Sequence, residues 1–173
     1  MTDFMEILKY VLPALIVFLT TWLMLATFSQ REKERYKMVL ATKNQKTLTP
    51  IRIQAYERLV LFLERINPES LIIRISRPGM TSRQLQSEMI SAIRAEYEHN
   101  LSQQVYISSP AWELVKSARS NLIKIVNTCA EKVEPDSPSI NLSKAILEFI
   151  MDMEKSPINV AIEYIKKEIK NYF

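Results

Sequence analysis

The sequence is poor in the residues from which most catalytic and cofactor sites are built. Its 173 residues include one glycine, one cysteine and one histidine. Phosphate-binding loops of the Walker or dinucleotide-binding type need two or three glycines for close backbone approach, so the sequence excludes them. A single histidine and a single cysteine also exclude the usual zinc sites and Cys-x-x-Cys redox motifs. We therefore expect no cofactor, and an enzyme is the less favoured class of protein.

A strongly basic surface and a disulfide framework are also absent. The net charge is +4, and residues 31–50 supply all of that excess with six basic and two acidic groups. The remainder is close to neutral, which argues against the basic face that a nucleic-acid-binding protein presents to phosphates. One cysteine cannot form an intrachain disulfide, as is usual in reducing compartments. We expect no nucleic-acid partner.

One long uncharged stretch is present, over residues 10–30, between Lys9 and Arg31. As a helix it would rise about 30 Å, the thickness of the hydrocarbon core of a bilayer. This predicts a single N-terminal transmembrane helix. A buried helix of a globular protein and a cleaved signal peptide are the alternatives. The signal peptide is disfavoured because Asp3 and Glu6 stand where an export signal is basic.

Basic residues are concentrated directly after this stretch. Residues 31–46 contain six, whereas Lys9 is the only one before it. Because basic flanks stay in the cytoplasm, residues 1–9 are predicted to lie outside and the C-terminal domain in the cytoplasm. Residues 31–48 are predicted to form a polar helical stalk, with a solvated linker as the alternative. The side chains predicted to contact the membrane surface are Arg31, Lys33, Arg35 and Lys37.

Residues 49–173 show the pattern of a small, mainly α-helical bundle. Apolar residues recur at helical spacing behind capping residues and prolines. The predicted helix starts are Thr49-Pro50, Thr81 with a capping box from Gln84, Ser109-Pro110 and Ser156-Pro157. Residues 134–139 form a turn-rich break before a further helix. Residues 71–75 and 104–108 are short and strand-like, so a minor two-stranded element is the alternative to helix there.

Glu96 and His99 are the candidates for catalytic or metal chemistry. They stand at the i, i+3 spacing used by di-iron helix bundles, but such a site needs a second pair and this chain has no second histidine. On a helical wheel Asn100 lies within the apolar stripe and Glu96 at its margin. A structural hydrogen-bonding network is therefore the favoured interpretation. Cys129 lies on the core face of its helix, where a thiol is normally inert.

Residues 77–118 carry a distinctive pattern, with EYEHN, QQVYIS and AWELVK as its clearest pieces. In this pattern the chain resembles an uncharacterised family of bacterial membrane-anchored proteins. The resemblance implies a single N-terminal span and a bacterial inner membrane. Because the family has no established activity, it implies no site residue.

The predicted function is a non-catalytic, membrane-tethered helical interaction module, acting as an adaptor or accessory subunit of a bacterial envelope assembly. Confinement near a membrane raises the effective concentration of such a module for its partners. The expected partners are the lipid bilayer and other membrane or envelope proteins. Two alternatives remain: a membrane-bound enzyme with a site around Glu96 and His99, and a sensor of anionic lipid that uses the basic stalk.

Overall fold

A computed structural model describes the chain over residues 2–172, without the side chains of residues 2–12, 14, 36, 40–42, 44 and 172. Over residues 2–172 the chain forms six α-helices and one 3-10 helix and contains no strand. The elements are α1 (Thr2–Ile66), α2 (Pro68–Ile75), α3 (Ser82–Asn100), a 3-10 helix (Leu101–Val105), α4 (Ser109–Ala130), α5 (Ser139–Met151) and α6 (Pro157–Tyr172). The predicted mainly helical character is confirmed.

The chain divides into two compact units between Thr49 and Pro50. The predicted helix start at this dipeptide is wrong, because α1 continues through it from Thr2 to Ile66. A proline inside a helix lacks the N–H for one backbone hydrogen bond. The boundary between the two units falls at that position.

The first unit carries many exposed apolar side chains on α1 between Leu15 and Phe28. Within the described residues, no helix combines the length and the apolar character that a membrane crossing requires. This finding overturns the predicted transmembrane helix over residues 10–30 and the single-pass location in a bacterial inner membrane. The side chains of residues 1–9, predicted to lie outside the membrane, are not among those described.

The second unit is built around α4, which packs against α3, α5 and α6. Helix α2 packs against α3 and α5, and the last turns of α1 add a further apolar face. The most fully buried large side chains are Leu59, Phe62, Leu63, Ile66, Leu71, Leu85, Met89, Ile93, Leu142, Ile146, Ile158 and Ile165. They come from α1, α2, α3, α5 and α6, and α4 adds smaller buried side chains such as Val115 and Val126, so the apolar stripes of the sequence meet in one core.

Residues 71–75 are helical, so the strand alternative is wrong there. Asn67 caps α2 by accepting a hydrogen bond from the backbone N–H of Glu69 at 3.4 Å, and Pro68 occupies the first turn. Leu71 and Ile72 are buried, whereas Ile73 is exposed. The cap and burial of one helical face outweigh the strand preference of the β-branched residues.

The strand alternative over residues 104–108 is also wrong. Its first half belongs to the 3-10 helix, and Ser108 is the N-cap of α4. The helix therefore begins one residue earlier than the Ser109-Pro110 pattern predicts. Val105 is exposed and Ile107 is buried. The short 3-10 turn leads directly into the N-cap of α4.

The start of α3 follows the prediction. Thr81 and Gln84 form the capping box: the Thr81 N–H donates to Gln84 Oε1 at 3.0 Å, and the Gln84 N–H donates to Thr81 Oγ1 at 3.3 Å. The preceding turn places Gly79 at a φ of +79°, a conformation that favours glycine. The predicted start of α6 at Pro157 is likewise confirmed.

Candidate functional site

Three helix ends meet at the carboxylate of Glu96. Glu96 lies in the last turns of α3, and its side chain is 15% exposed. Its Oε1 lies 2.7 Å from Nη2 of Arg65, in the last turn of α1, and 3.7 Å from Nη2 of Arg74, in the last turn of α2. One carboxylate therefore joins α1, α2 and α3.

Backbone groups complete this cluster. Nη2 of Arg74 donates a hydrogen bond to the Arg65 carbonyl at 3.3 Å, at the C-terminal end of α1. Cations favour the partial negative charge of a helix C-terminus, and an arginine can satisfy one of its unpaired carbonyls. The buried Asn100 donates from Nδ2 to the Glu96 carbonyl at 2.8 Å. The structure thus places Glu96 and Asn100 in a local polar network, in line with their helical-wheel positions.

Beside this cluster lies an open cavity of about 220 Å³. We call it the cationic groove, and its lining residues are Arg58, Leu61, Phe62, Arg65, Glu96, His99 and Asn100. Arg58, Leu61 and Arg65 lie on one flank of α1, and the remaining wall comes from the end of α3 and from Phe62. Two arginines and one carboxylate give the groove a net positive charge. Its chemistry suits an anionic group, since guanidinium groups bind carboxylates and phosphates through paired hydrogen bonds.

His99 and Glu96 line the same groove but differ in environment. His99 is exposed, and within the described part of the chain it takes part in no hydrogen bond or ion pair. Glu96 is occupied by the two arginines. The pair that the enzyme alternative requires is therefore present in one cavity, with the carboxylate already engaged.

No group of three or more His, Cys, Asp or Glu side chains that could hold a metal ion occurs among the described residues. The di-iron spacing of Glu96 and His99 thus has no further ligands beside it there. What accompanies Glu96 is the pair Arg65 and Arg74, which repel a cation. The local charge disfavours a metal at this position.

The arginines of the groove were not singled out by the sequence. Arg58 and Arg65 are seven residues apart, which places them on the same flank of α1 two turns apart. That spacing was a usable signal. The sequence gives no comparable signal for Arg74, because its approach to Glu96 depends on where α2 packs.

The four basic residues predicted to contact a membrane surface lie on α1 in the first unit. The side chains of Arg31, Lys33, Arg35 and Lys37 are all exposed. Their exposure is common to charged residues on a helix, so contact with lipid headgroups stays a prediction.

Comparison with known families gives one match, which covers the whole described chain. Residues 2–172 match the model of a family of unknown function, DUF7935. The chain belongs to this family. No curated protein and no solved structure matches it. Membership of DUF7935 confirms the expected uncharacterised family, while the bacterial origin of the chain stays a prediction.

A second polar network of this DUF7935 member joins α1, α4 and α6. Tyr56 donates from its hydroxyl to Glu168 Oε1 at 2.7 Å, and Ser108 donates from Oγ to Glu168 Oε2 at 2.9 Å. The backbone N–H of Ser108 donates to the Tyr56 hydroxyl oxygen at 3.3 Å. Tyr56 is buried, and Ser108 also caps α4 through Ala111. Both carboxylate oxygens of Glu168 accept hydrogen bonds from hydroxyls of two other elements, and this network fits a structural role.

Aromatic packing behind the groove connects α1, α3 and α4. Tyr97 stands edge-on to Phe62, with ring centroids 6.1 Å apart, and stacks on Trp112 at 5.4 Å. The guanidinium of Arg119 lies 4.2 Å from the centre of the Tyr97 ring, a cation–π contact. Phe62 thus forms a rigid floor for the cationic groove.

Cys129 is buried on the core face of α4. Burial raises the pKa of its thiol, and the nearby Lys132 opposes this only in part. Its Sγ lies 3.5 Å from the Ala145 carbonyl oxygen, to which it donates. A buried thiol with a raised pKa is a poor nucleophile, which supports a packing role for Cys129.

Proposed function

We propose that this chain is a non-catalytic helical interaction module, an adaptor or accessory subunit, whose cationic groove binds another protein. The main observation behind this proposal is the exposure of the Leu61 side chain. This side chain is 57% exposed although it lies between Arg58 and Arg65 on the groove flank of α1. An exposed apolar side chain between two arginines offers a partner both apolar contact and positive charge, and arginine is enriched at the interfaces and hot spots of protein complexes.

The organisation of the groove supports binding over catalysis. The Glu96 carboxylate is held by Arg65 at 2.7 Å, so it serves as an internal counter-ion. Arg65 is thereby fixed in place, and Phe62 behind it is locked by its contact with Tyr97. Preorganised side chains lose little conformational entropy when a partner binds, which favours affinity.

Site-specific photocrosslinking in cells tests this function. A photoreactive amino acid at position 61 should give a discrete crosslinked protein product, and Arg58→Glu in the same chain should abolish it. The control position is Ser120, an exposed residue of α4 that lies outside the groove. The proposal fails if position 61 yields no product, if Ser120 yields the same product, or if Arg58→Glu leaves the product unchanged.

A further inference from the structure

An acidic turn of this chain has the composition that the cationic groove would bind. We define it as residues 151–154, from the last residue of α5 onward, with the sequence Met-Asp-Met-Glu. Met151 is 81% exposed, and Asp152 and Glu154 are exposed beside it. Within the described residues, neither carboxylate forms an ion pair with a cation of the same chain. The turn therefore presents an apolar side chain and two uncompensated negative charges to solvent.

The groove presents the opposite sign, with Arg58 as its uncompensated cation, because Arg65 is already paired with Glu96. Arg58 and Arg65 are about 10 Å apart along α1, with Leu61 between them. Arg58 is exposed and has no ion-pair partner in the described part of the chain. Charge and apolar contact are thus complementary on both surfaces.

A second acidic turn, residues 134–137 with the sequence Glu-Pro-Asp-Ser, is less suited to this role. The carbonyls of Pro135 and Ser137 accept hydrogen bonds at 2.9 and 2.8 Å from the first backbone N–H groups of α3. Its backbone is therefore tied to its own domain. Residues 151–154 have no such backbone link to another helix among the described hydrogen bonds. Met153 packs against the core, whereas Met151, Asp152 and Glu154 are exposed and available to a partner.

We infer that the occupant of the cationic groove is the acidic turn of a second copy of this chain, so that the protein self-associates. This inference rests on the proposed function, because it names the partner of the same groove. Contacts of this size and charge typically give weak, micromolar association that weakens with salt. Lys155 follows the turn, and its positive charge reduces the net negative charge of this segment by one.

Sedimentation velocity on the purified full chain tests the inference. The wild-type sedimentation coefficient should rise with protein concentration and fall back when salt is added. Arg58→Glu should weaken association roughly tenfold or more, and the double variant Asp152→Lys/Glu154→Lys should do the same. Arg94→Glu is the matched control: it makes the same charge change at an exposed position of α3 and should leave association unchanged.

Mixing the reversed variants provides the decisive measurement. Arg58→Glu labelled with a fluorophore should remain monomeric alone and associate when Asp152→Lys/Glu154→Lys is added. Far-UV circular dichroism establishes that each variant is folded. If Arg58→Glu is not folded, Arg58→Gln replaces it in the concentration series, where association should likewise weaken, and that series decides. Three results would overturn the inference. The wild-type chain could be monomeric at all concentrations, association could persist unchanged in Arg58→Glu, or mixing of the two folded variants could fail to restore association. In those cases a crosslink from position 61 to a different protein shows that the proposed function still stands, and its absence shows that both fail.

Discussion

Glu96 stands at the i, i+3 spacing from His99 that some metal sites use, yet its carboxylate has a structural role. Its oxygen bridges arginines from two other helices, and its own carbonyl accepts a hydrogen bond from the buried Asn100. Arg65 and Arg74 remain partly exposed, so solvent screens the ion pairs and limits their contribution to stability. Their main effect is positional, because they fix the ends of α1 and α2 against α3.

Glu96→Gln should lower the free energy of unfolding by about 1 kcal/mol, since it removes the charge from a partly screened, hydrogen-bonded ion pair. Glu98→Gln is the matched control, because Glu98 is exposed on the same helix and should change stability by less than about 0.5 kcal/mol. Urea denaturation followed by circular dichroism measures both values. Equal effects of the two substitutions would show that the ion pairs with Arg65 and Arg74 do not contribute.

Single-residue placement was predictable where it depends on one helix. The apolar stripe of α3 places Asn100 inside and Glu96 at the margin, and the structure has them there. Arg74 was not predictable, because its approach to Glu96 depends on the packing of α2 against α3. A helical wheel contains no information about a neighbouring helix.

At the level of elements, the N-terminus of α4 concentrates several interactions on one side chain. Ser108 Oγ accepts a hydrogen bond from the Ala111 N–H at 3.2 Å and donates one to Glu168 of α6 at 2.9 Å. The backbone N–H of the same residue binds the hydroxyl of Tyr56 in α1. The cap of α4 therefore also positions two other helices.

Ser108→Ala should destabilise the protein by about 1–3 kcal/mol, because it removes an N-cap and leaves one oxygen of the Glu168 carboxylate without its hydroxyl donor. Ser109→Ala provides the comparison, since Ser109 is the adjacent exposed serine and should cost less than about 0.5 kcal/mol. Chemical denaturation of both variants measures the difference. A larger effect from Ser109→Ala would place the cap where the sequence pattern alone predicts it.

Helix boundaries were predictable where side chains cap them locally. The Thr81–Gln84 box and the start of α6 at Pro157 follow from adjacent residues. The strand-like residues 71–75 were misleading, because burial of Leu71 and Ile72 against other helices selects helix there. Pro50 was misleading for the opposite reason, since a local breaker sits within the continuous α1.

At the scale of the molecule, the buried core belongs to the second unit. Among the described side chains, every residue of the buried apolar cluster comes from Ala55 or a later position. The apolar side chains between Leu15 and Phe28 are instead exposed. Hydropathy of residues 10–30 could predict a long apolar helix. Hydropathy alone does not show whether such a helix contacts lipid, protein or solvent. The transmembrane interpretation is wrong, because no helix among the described residues has the length and apolar character needed to cross a membrane.

This distribution predicts that residues 50–173 fold without the residues before them. The fragment should unfold cooperatively, with a melting temperature within about 3 °C of the corresponding transition in the full chain, because no described core residue is removed. Leu122→Ala, at a buried position of α4, should lower stability by about 2–5 kcal/mol and by the same amount in both contexts. Thermal and urea denaturation of the four proteins make the comparison. A fragment that melts without cooperativity, or a Leu122→Ala effect confined to the full chain, would show that residues 1–49 contribute to the core.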